Sequence, residues 1–406
     1  MPITSLLPKV DLVVERQWHI GMHARSLADL GCLGTVFGGF PSCRYQSLGI
    51  PKKNIRTHSL PAVANHVLGQ ALPFVPFRWD EPRALSRWVT RQKLLSPVIA
   101  CYATAPRHLF PPLSQRGYVL ILERGSTHPE NYFGAIQKAR AEAGLPVENK
   151  LPPEIFEEIE AGRLAHFVGA GSRMIAESYV TRGYAPERIL LSPWCTDPDI
   201  FSFCDRQERT RREVRLLTVG VVGLRKGLGR ILAMARWAER SRLPTRFRLV
   251  GPLEPEAHAL LARAPRNVEW VGVKKGRRLV SEYHEADLYV LPSYEEGFGI
   301  SILEALSTGL PVLVSSETGG KQSVVPGRNG FILENFSDES LEAILAPLLR
   351  NPSQRLSMAA AARQTVMENH TELHYRQTLQ AEYIRMFSMM DKAGEPLKPA
   401  WGCFPS

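Results

Sequence analysis

The chain has 406 residues, 44% of them apolar and 22% charged, with 31 glycines and 31 prolines spread along it. That length suits two domains of ~200 residues each, and the composition excludes disordered, collagen-like and low-complexity architectures. The formal net charge of +10 divides evenly between the two halves, so no single basic domain of the nucleic-acid-binding kind is expected. Arginine outnumbers lysine 38 to 12, which suits an anionic ligand or an anionic membrane surface, and equally a simple coding bias. The longest apolar-leaning run, Ala62 to Phe77, is interrupted by Asn65, His66 and Gln70, well short of a membrane span. The first residues carry no charged segment followed by an apolar one, so no secretory signal is expected. Cys32, Cys43, Cys101, Cys195, Cys204 and Cys403 are scattered without metal-site spacing. Reduced thiols, a cytoplasmic location and no metal site are therefore expected.

In chain order, Val10–Val14 reads as a strand, 22–30 as a helix stopped by Gly31, and 35–37 as a second strand before a glycine pair. Short buried strands are expected at 118–122 and 165–168, with helices between them. Strands alternating with helices predict a parallel sheet covered on both faces. The stretch 197–213 is charged, contains proline and lacks apolar periodicity, as a linker does. A second series follows: strand 215–219, helix 228–240, strands 246–250, 268–271 and 288–291, helix 301–308 and strand 311–314. A last amphipathic helix covers 372–390. Two α/β sandwiches joined by one hinge predict a bilobal protein, with the ligand beyond the carboxyl ends of the strands.

Two segments carry chemistry. Residues 292–311, PSYEEGFGISILEALSTGLP, leave a strand, pass a turn at Gly297 and Gly299, and enter a helix near Ile300. A helix N-terminus after a glycine turn presents free backbone N–H groups and the positive dipole end to an anion. Glu296 stands at the mouth of that turn and Glu304 eight residues on. Two carboxylates beside an anion cradle suit a ligand with hydroxyls as well as phosphates; a capped helix with surface glutamates is the plainer alternative. Residues 216–231, LLTVGVVGLRKGLGRI, repeat the strand–turn–helix form, with Arg225 and Lys226 on the turn, placed to neutralise a diphosphate. Neither a P-loop nor a G-x-G-x-x-G fingerprint is present.

The ordered set VGVVGLRKG, FRLVGP, NVEWVGV, HEADLYVLPSYEEGFGISILEALSTGLPVLVSS and GRNGFIL resembles the GT-B glycosyltransferases of family 4, the glycosyl transferases group 1. The resemblance is strong over 216–333 and weaker before 165. It implies an α/β fold of GT-B type, two Rossmann-like domains facing each other across a cleft. Residues 1–200 would form the acceptor-side domain, 201–370 the nucleotide-sugar domain, and 371–406 a helix and tail returning to the first. It implies a retaining transfer of a sugar from a UDP-sugar or GDP-sugar to a glycan or lipid-linked acceptor, in cell-surface polysaccharide assembly and without a metal. By the same resemblance, Arg225 and Lys226 clamp the diphosphate and Glu304 holds the ribose. Glu296, with the backbone of Gly297, Phe298, Gly299 and Ile300, grips the donor sugar and distal phosphate. His128 lies beside that sugar, and Gly21 stands in the loop that covers the donor. Departures fall at Cys195, where glycine is usual, and at Lys321 and Gln322 after Gly319–Gly320, where an acidic residue is frequent.

Asp197–Pro198–Asp199 looks like a metal-binding D-x-D but reads as turn and capping chemistry, lying in the hinge. On the acceptor side, 79–95 places Arg83, Arg87 and Arg91 on one helical face with Trp88 and Leu94 nearby, suiting peripheral contact with an anionic membrane. Alternatives are a nucleotide-sugar epimerase, a phosphorylase, or a silent nucleotide-sugar-binding scaffold of the same fold; a nucleic-acid partner fits least.

Overall fold

Short runs of Val, Ile and Leu alternate with amphipathic helices, and runs buried on both faces pair as parallel strands. The computed structural model describes residues 7–15, 20–71, 80–102, 106–205, 213–392 and 397–402. The first sheet has seven parallel strands: β1 Val10–Val14, β2 Leu33–Gly38, β3 Ile55–Thr57, β4 Val98–Tyr102, β5 Val119–Arg124, β6 Phe167–Ala170 and β7 Ile189–Leu191. Their spatial order is β3-β2-β1-β4-β5-β6-β7. The second has six, β8 Val214–Val219, β9 Thr245–Val250, β10 Val268–Gly272, β11 Leu288–Leu291, β12 Val312–Ser315 and β13 Gly330–Leu333, in the order β10-β9-β8-β11-β12-β13.

In both sheets the strand order reverses beside the first strand, between β1 and β4 and between β8 and β11. A crevice opens at such a reversal, because the connections leave to opposite faces. The segments following β8 and β11 are the two glycine turns singled out in the sequence. They are tied to each other: the Tyr294 N–H donates to the Arg225 carbonyl at 2.8 Å, and Arg230 donates to the Ser293 carbonyl at 3.0 Å.

Helix Glu372–Lys392 leaves the second sheet's side and packs on the first. Tyr375, Leu379, Tyr383, Met386 and Phe387 join Val10, Leu12, Ile20 and Leu27 in one buried cluster. The chain between the sheets is fastened rather than loose where it is described. Arg363 donates to the carbonyls of Pro198, Phe201 and Ser307 at 3.0–3.2 Å. Asp197 accepts from the backbone N–H groups of Asp199 and Ile200, the capping chemistry expected of that D-x-D. Residues 206–212 of the expected linker, Cys403 and Trp79 lie outside the described residues.

Several elements differ from the sequence reading. Strands β3, β4, β7 and β13 are additions to it. β4 is a central strand with Val98, Ile99, Ala100 and Cys101 wholly buried; so short an apolar run has no periodicity to distinguish it. Helix Glu81–Thr90 exposes Arg83 and Arg87, with Arg91 just beyond it also exposed. Trp88, however, stacks on His58 with ring centroids 5.4 Å apart and meets Phe37 edge-on, while Leu94 is buried. The arginines therefore share no exposed face with those two apolar side chains.

Candidate functional site

The carboxyl ends of both sheets open onto one cavity of about 640 Å³. From the second sheet its lining includes Val219, Gly220, Arg225, Lys226, Leu279, Glu296, Gly299, Ile300, Ser301 and Glu304. The turn after β11 delivers Glu296 and Gly299, and the helix it leads into delivers Ile300, Ser301 and Glu304. Gly299 takes the left-handed conformation, φ +84°, and starts helix Ile300–Ser307 with no side-chain cap. Its first N–H groups are thus left for a ligand.

Charge is concentrated at the two turns. Arg225 donates to the Glu295 carboxylate at 3.0 Å and to its carbonyl at 2.8 Å, and lies 3.5 Å from Glu296. The Lys226 ammonium is hydrogen-bonded to Glu296. Both carboxylates are buried, so each cation is matched locally by a counter-charge. Burial and the neighbouring Arg225 charge pull the Lys226 ammonium down from its usual range to about 7, with Glu295 opposing. An arriving diphosphate would compete with both carboxylates for these cations and restore the lysine's charge.

Glu304 sits in the first turns of helix Ile300–Ser307, where the Tyr283 hydroxyl donates to it. Burial pushes its carboxyl up to about 7, and the Tyr283 hydrogen bond opposes that rise. The group is placed to accept from paired hydroxyls of a ligand in the cavity.

The halves meet closely here. Glu295 Oε1 accepts from Thr127 of the first half twice, from N–H at 2.9 Å and from the hydroxyl at 3.0 Å. Ser172 donates to the Gly297 carbonyl. A Cβ at Gly297 would stand 2.2 Å from the Gly125 carbonyl oxygen, so only glycine allows this approach. Helix Pro129–Glu142 grips the second half: Lys138 pairs with Glu317 at 3.3 Å, Glu142 accepts from Tyr294, and Arg140 pairs with Glu256. Gln322 accepts the Arg173 N–H at 3.0 Å, and Lys321 donates to the Ser316 carbonyl at 2.6 Å. Those two departures thus serve the domain contact and the local turn.

The structure brings together Arg225, Lys226, Glu296, Gly299, Ile300 and Glu304, but not His128 or Gly21. His128 caps helix Pro129–Glu142, its ring packed edge-on against Tyr179 at 5.1 Å. Burial, with three nearby arginines, holds it neutral, down to about 3. It is buried and absent from the cavity lining, because capping turns the ring away from the strand end. Gly21 lies inside helix Ile20–Asp29 against Leu48, where a Cβ would meet the Leu48 Cβ at 2.9 Å; it serves helix packing, not a loop over the ligand. Phe298 is wholly buried under the turn. Conversely, Glu295 and Thr127, and Glu123, Tyr102, Tyr375 and Tyr383 on the far wall, carry no motif; their convergence comes from folding. Among the described residues, no group of three or more His, Cys, Asp or Glu is arranged to hold a metal.

Residues 205–365 match the sequence model of the family described as "Glycosyl transferases group 1". The amylovoran biosynthesis glycosyltransferase AmsK of Erwinia amylovora is 25% identical over 51% of this chain and 53% of its own length. The lipopolysaccharide glucosyltransferase WaaG of Escherichia coli strain K12 is 36% identical over 36% of this chain and 40% of its own length. The chain thus spans about half the length of the curated relatives it matches. In fold the similarity covers nearly everything. WaaG's crystal structure superposes with a TM-score of 0.62 at 19% identity, covering 95% of this chain and 100% of that one. Anabaena HepE in complex with UDP and glucose gives 0.63 at 13%, covering 95% and 100%. The architecture is therefore that of the GT-B glycosyltransferases, two Rossmann-like domains across a cleft.

Two outcomes are expected of this geometry. Gly297→Ala blocks close approach of the halves, so its radius of gyration by solution scattering exceeds that of the native protein; an unchanged radius would contradict the contact. A carboxyl raised in the folded state costs stability as pH climbs from ~4.5 through about 7. Glu304→Gln lacks that loss, so its melting temperature gains on the native protein between pH 5 and pH 8. The Lys226 contribution is common to both proteins and cancels in the difference.

Proposed function

We propose that the protein is a retaining glycosyltransferase, moving a sugar from a nucleoside-diphosphate donor, UDP-linked or GDP-linked, to a glycan or lipid-linked acceptor in cell-surface polysaccharide assembly. The observation that carries this reading is the opening of Arg225, Lys226, Glu304 and an uncapped helix N-terminus onto one cavity between two GT-B halves. The names of AmsK, WaaG and HepE support it, since those proteins are glycosyltransferases or hold UDP and glucose. Residues 1–200 form the acceptor-side domain, 201–370 the donor domain, and 371–406 return to the first.

In this reading the diphosphate displaces Glu296 and Glu295 from Lys226 and Arg225, and its distal phosphate faces the N–H groups of Gly299 and Ile300. The leaving group gains negative charge as the glycosidic bond breaks, and these donors stabilise it without reorganising. A metal is not required for that task, because two cations and a helix dipole already face the phosphates. Glu304 accepts from the ribose hydroxyls. Glu296, freed from Lys226, and the Gly297–Gly299 backbone hold the donor sugar. No protein carboxylate is assigned as a nucleophile; the departing phosphate takes the proton of the attacking hydroxyl on the same face, which gives retention. Trapping a covalent glycosyl–protein adduct would overturn that step.

Contact with an anionic membrane surface would rest on exposed Arg83, Arg87 and Arg91, and on Leu60, Val63 and Val67, which stand exposed on the neighbouring helix Leu60–Ala71. No helix among the described residues is long and apolar enough to cross a membrane. Pelleting with anionic liposomes at low salt, lost at high salt, is the expected result; no pelleting would remove this contact.

The donor site is tested by a thermal-shift screen with UDP, GDP, ADP and their sugar conjugates. A nucleotide at ~100 times its dissociation constant adds about 2.7 kcal/mol, several degrees for domains of this size. Lys226→Ala abolishes the shift and lowers turnover ~100-fold, as loss of one oxyanion donor does; Glu304→Ala weakens donor use while preserving the fold. Above pH 7 diphosphate binding takes up a proton at Lys226, so affinity falls from pH 7 to pH 9. Binding heats at pH 8 then depend on the buffer's ionisation enthalpy. Buffer-independent heats would contradict the neutral lysine.

A further inference from the structure

The first sheet supplies a second half of the cavity. That half is built from the ends of β4, β5 and β6 and from helix Glu372–Lys392, and its walls include Tyr102, Glu123, Trp194, Tyr375 and Tyr383. Glu123 stands near the carboxyl end of β5 with its side chain 13% exposed. Its carboxylate rests on Gly169 of β6, where a Cβ would come within 2.1 Å of Oε2. The Tyr383 hydroxyl donates to Oε1 at 3.4 Å. Behind it, His23 bridges two hydroxyls: Nε2 is 2.9 Å from Tyr383, and Nδ1 is bonded to Tyr102. His23 is held neutral by burial, so one ring nitrogen donates and the other accepts. With Tyr383 donating to Glu123, the proton of His23 sits on Nε2 and Tyr102 donates to Nδ1. The chain runs in one direction, towards the carboxylate.

That chain delivers a single long hydrogen bond to a group with room for about four. Burial pushes the Glu123 carboxyl up to about 7, as expected of a carboxylate short of donors. The remaining capacity faces a chamber of tyrosine and tryptophan side chains. Among the described lining residues of this half, the cation is Arg124, and it is already ion-paired with Glu158. A phosphorylated ligand would meet an acidic group and no unmatched positive charge. A ring with apolar C–H faces and hydroxyl donors would fill both needs.

We propose that this half-cavity is a subsite for an uncharged, polyhydroxylated ring, the accepting sugar, held by a hydrogen bond from one of its hydroxyls to Glu123. The Tyr102–His23–Tyr383 chain fixes the orientation of that carboxylate. The inference rests on the glycosyltransferase reading and names the chemical class of its acceptor.

The test uses the full chain with whichever donor the nucleotide screen identifies, and reads nucleoside-diphosphate release. The acceptor probes are p-nitrophenyl glycosides of neutral hexoses set against the corresponding hexose 6-phosphates. Neutral glycosides stimulate release and the phosphates do not. Glu123→Gln, isosteric and able to fold, raises the acceptor KM ~10-fold or more, as loss of a hydrogen bond to a buried charged group does. The donor KM and the nucleotide thermal shift stay as in the native protein. Tyr383→Phe moves the acceptor KM in the same direction, less far. Phosphates preferred over neutral glycosides, no response to any neutral probe from a protein that binds nucleotide, or a raised donor KM in Glu123→Gln would each overturn the proposal. A native protein that neither binds nucleotide nor turns over donor would overturn the glycosyltransferase reading instead, and the two failures are distinct.

Discussion

Two cations buried at the end of a parallel sheet need counter-charges, and the way they obtain them organises this molecule. Removing Arg225 and Lys226 from water is costly unless each meets a carboxylate with good geometry. Glu295 and Glu296 supply that match from the neighbouring turn. Glu295 is itself buried, and its other oxygen takes both donors of Thr127 from the opposite half. The charge cluster is therefore satisfied only when the two sheets face each other closely. Thr127 of one half and Arg225 of the other are thus tied through a single carboxylate.

The same arrangement explains why the site is poised rather than inert. A pairing made inside the protein is exchangeable for one made to a ligand of the same charge, provided the ligand replaces every hydrogen bond it breaks. No side chain caps helix Ile300–Ser307, so in the proposed donor complex its first N–H groups add donors for the distal phosphate. Glu304 and Lys226 both titrate near neutrality, because burial raises the acid and lowers the base. An anion at Lys226 and hydroxyl donors at Glu304 would relieve both penalties together.

Helix Glu372–Lys392 adds a second constraint. It starts beside the second sheet and spends its aromatic face on the first, with Tyr375, Leu379 and Tyr383 forming part of the cavity wall. The chain thus crosses between its halves twice, once between β7 and β8 and once at this helix. Helix Glu372–Lys392 closes the chamber in which Glu123 stands, so the wall facing the glycine turns is built from two distant parts of the chain.

Much of this was legible in the residues. Apolar runs bounded by turn signals placed strands at Val10–Val14 and Leu288–Leu291, and a 3.6-residue period placed the helix at Leu228–Arg240, because both signals are local. The glycine turns placed Arg225, Lys226, Glu296 and Glu304 at the sheet's ligand edge, where a strand–turn–helix unit sends its turn, and the family resemblance joined them into one site. What could not be read locally is what depends on distant partners. β4 lacks a pattern of its own and is a strand because β1 and β5 flank it. His128 and Gly21 stand near the right strand ends, but a capping bond and a helix contact turn them from the cavity. Glu295, Thr127, Glu123 and Tyr383 are ordinary residues in sequence. Thr127 lies 168 positions from Glu295, and Tyr383 lies 260 from Glu123. The two parallel sheets and the glycine turns at the sheet's edge were legible in the residues, both being products of short-range pattern and backbone geometry. Only tertiary structure decided which buried charges find each other across the cleft and what chemistry the opposite wall presents.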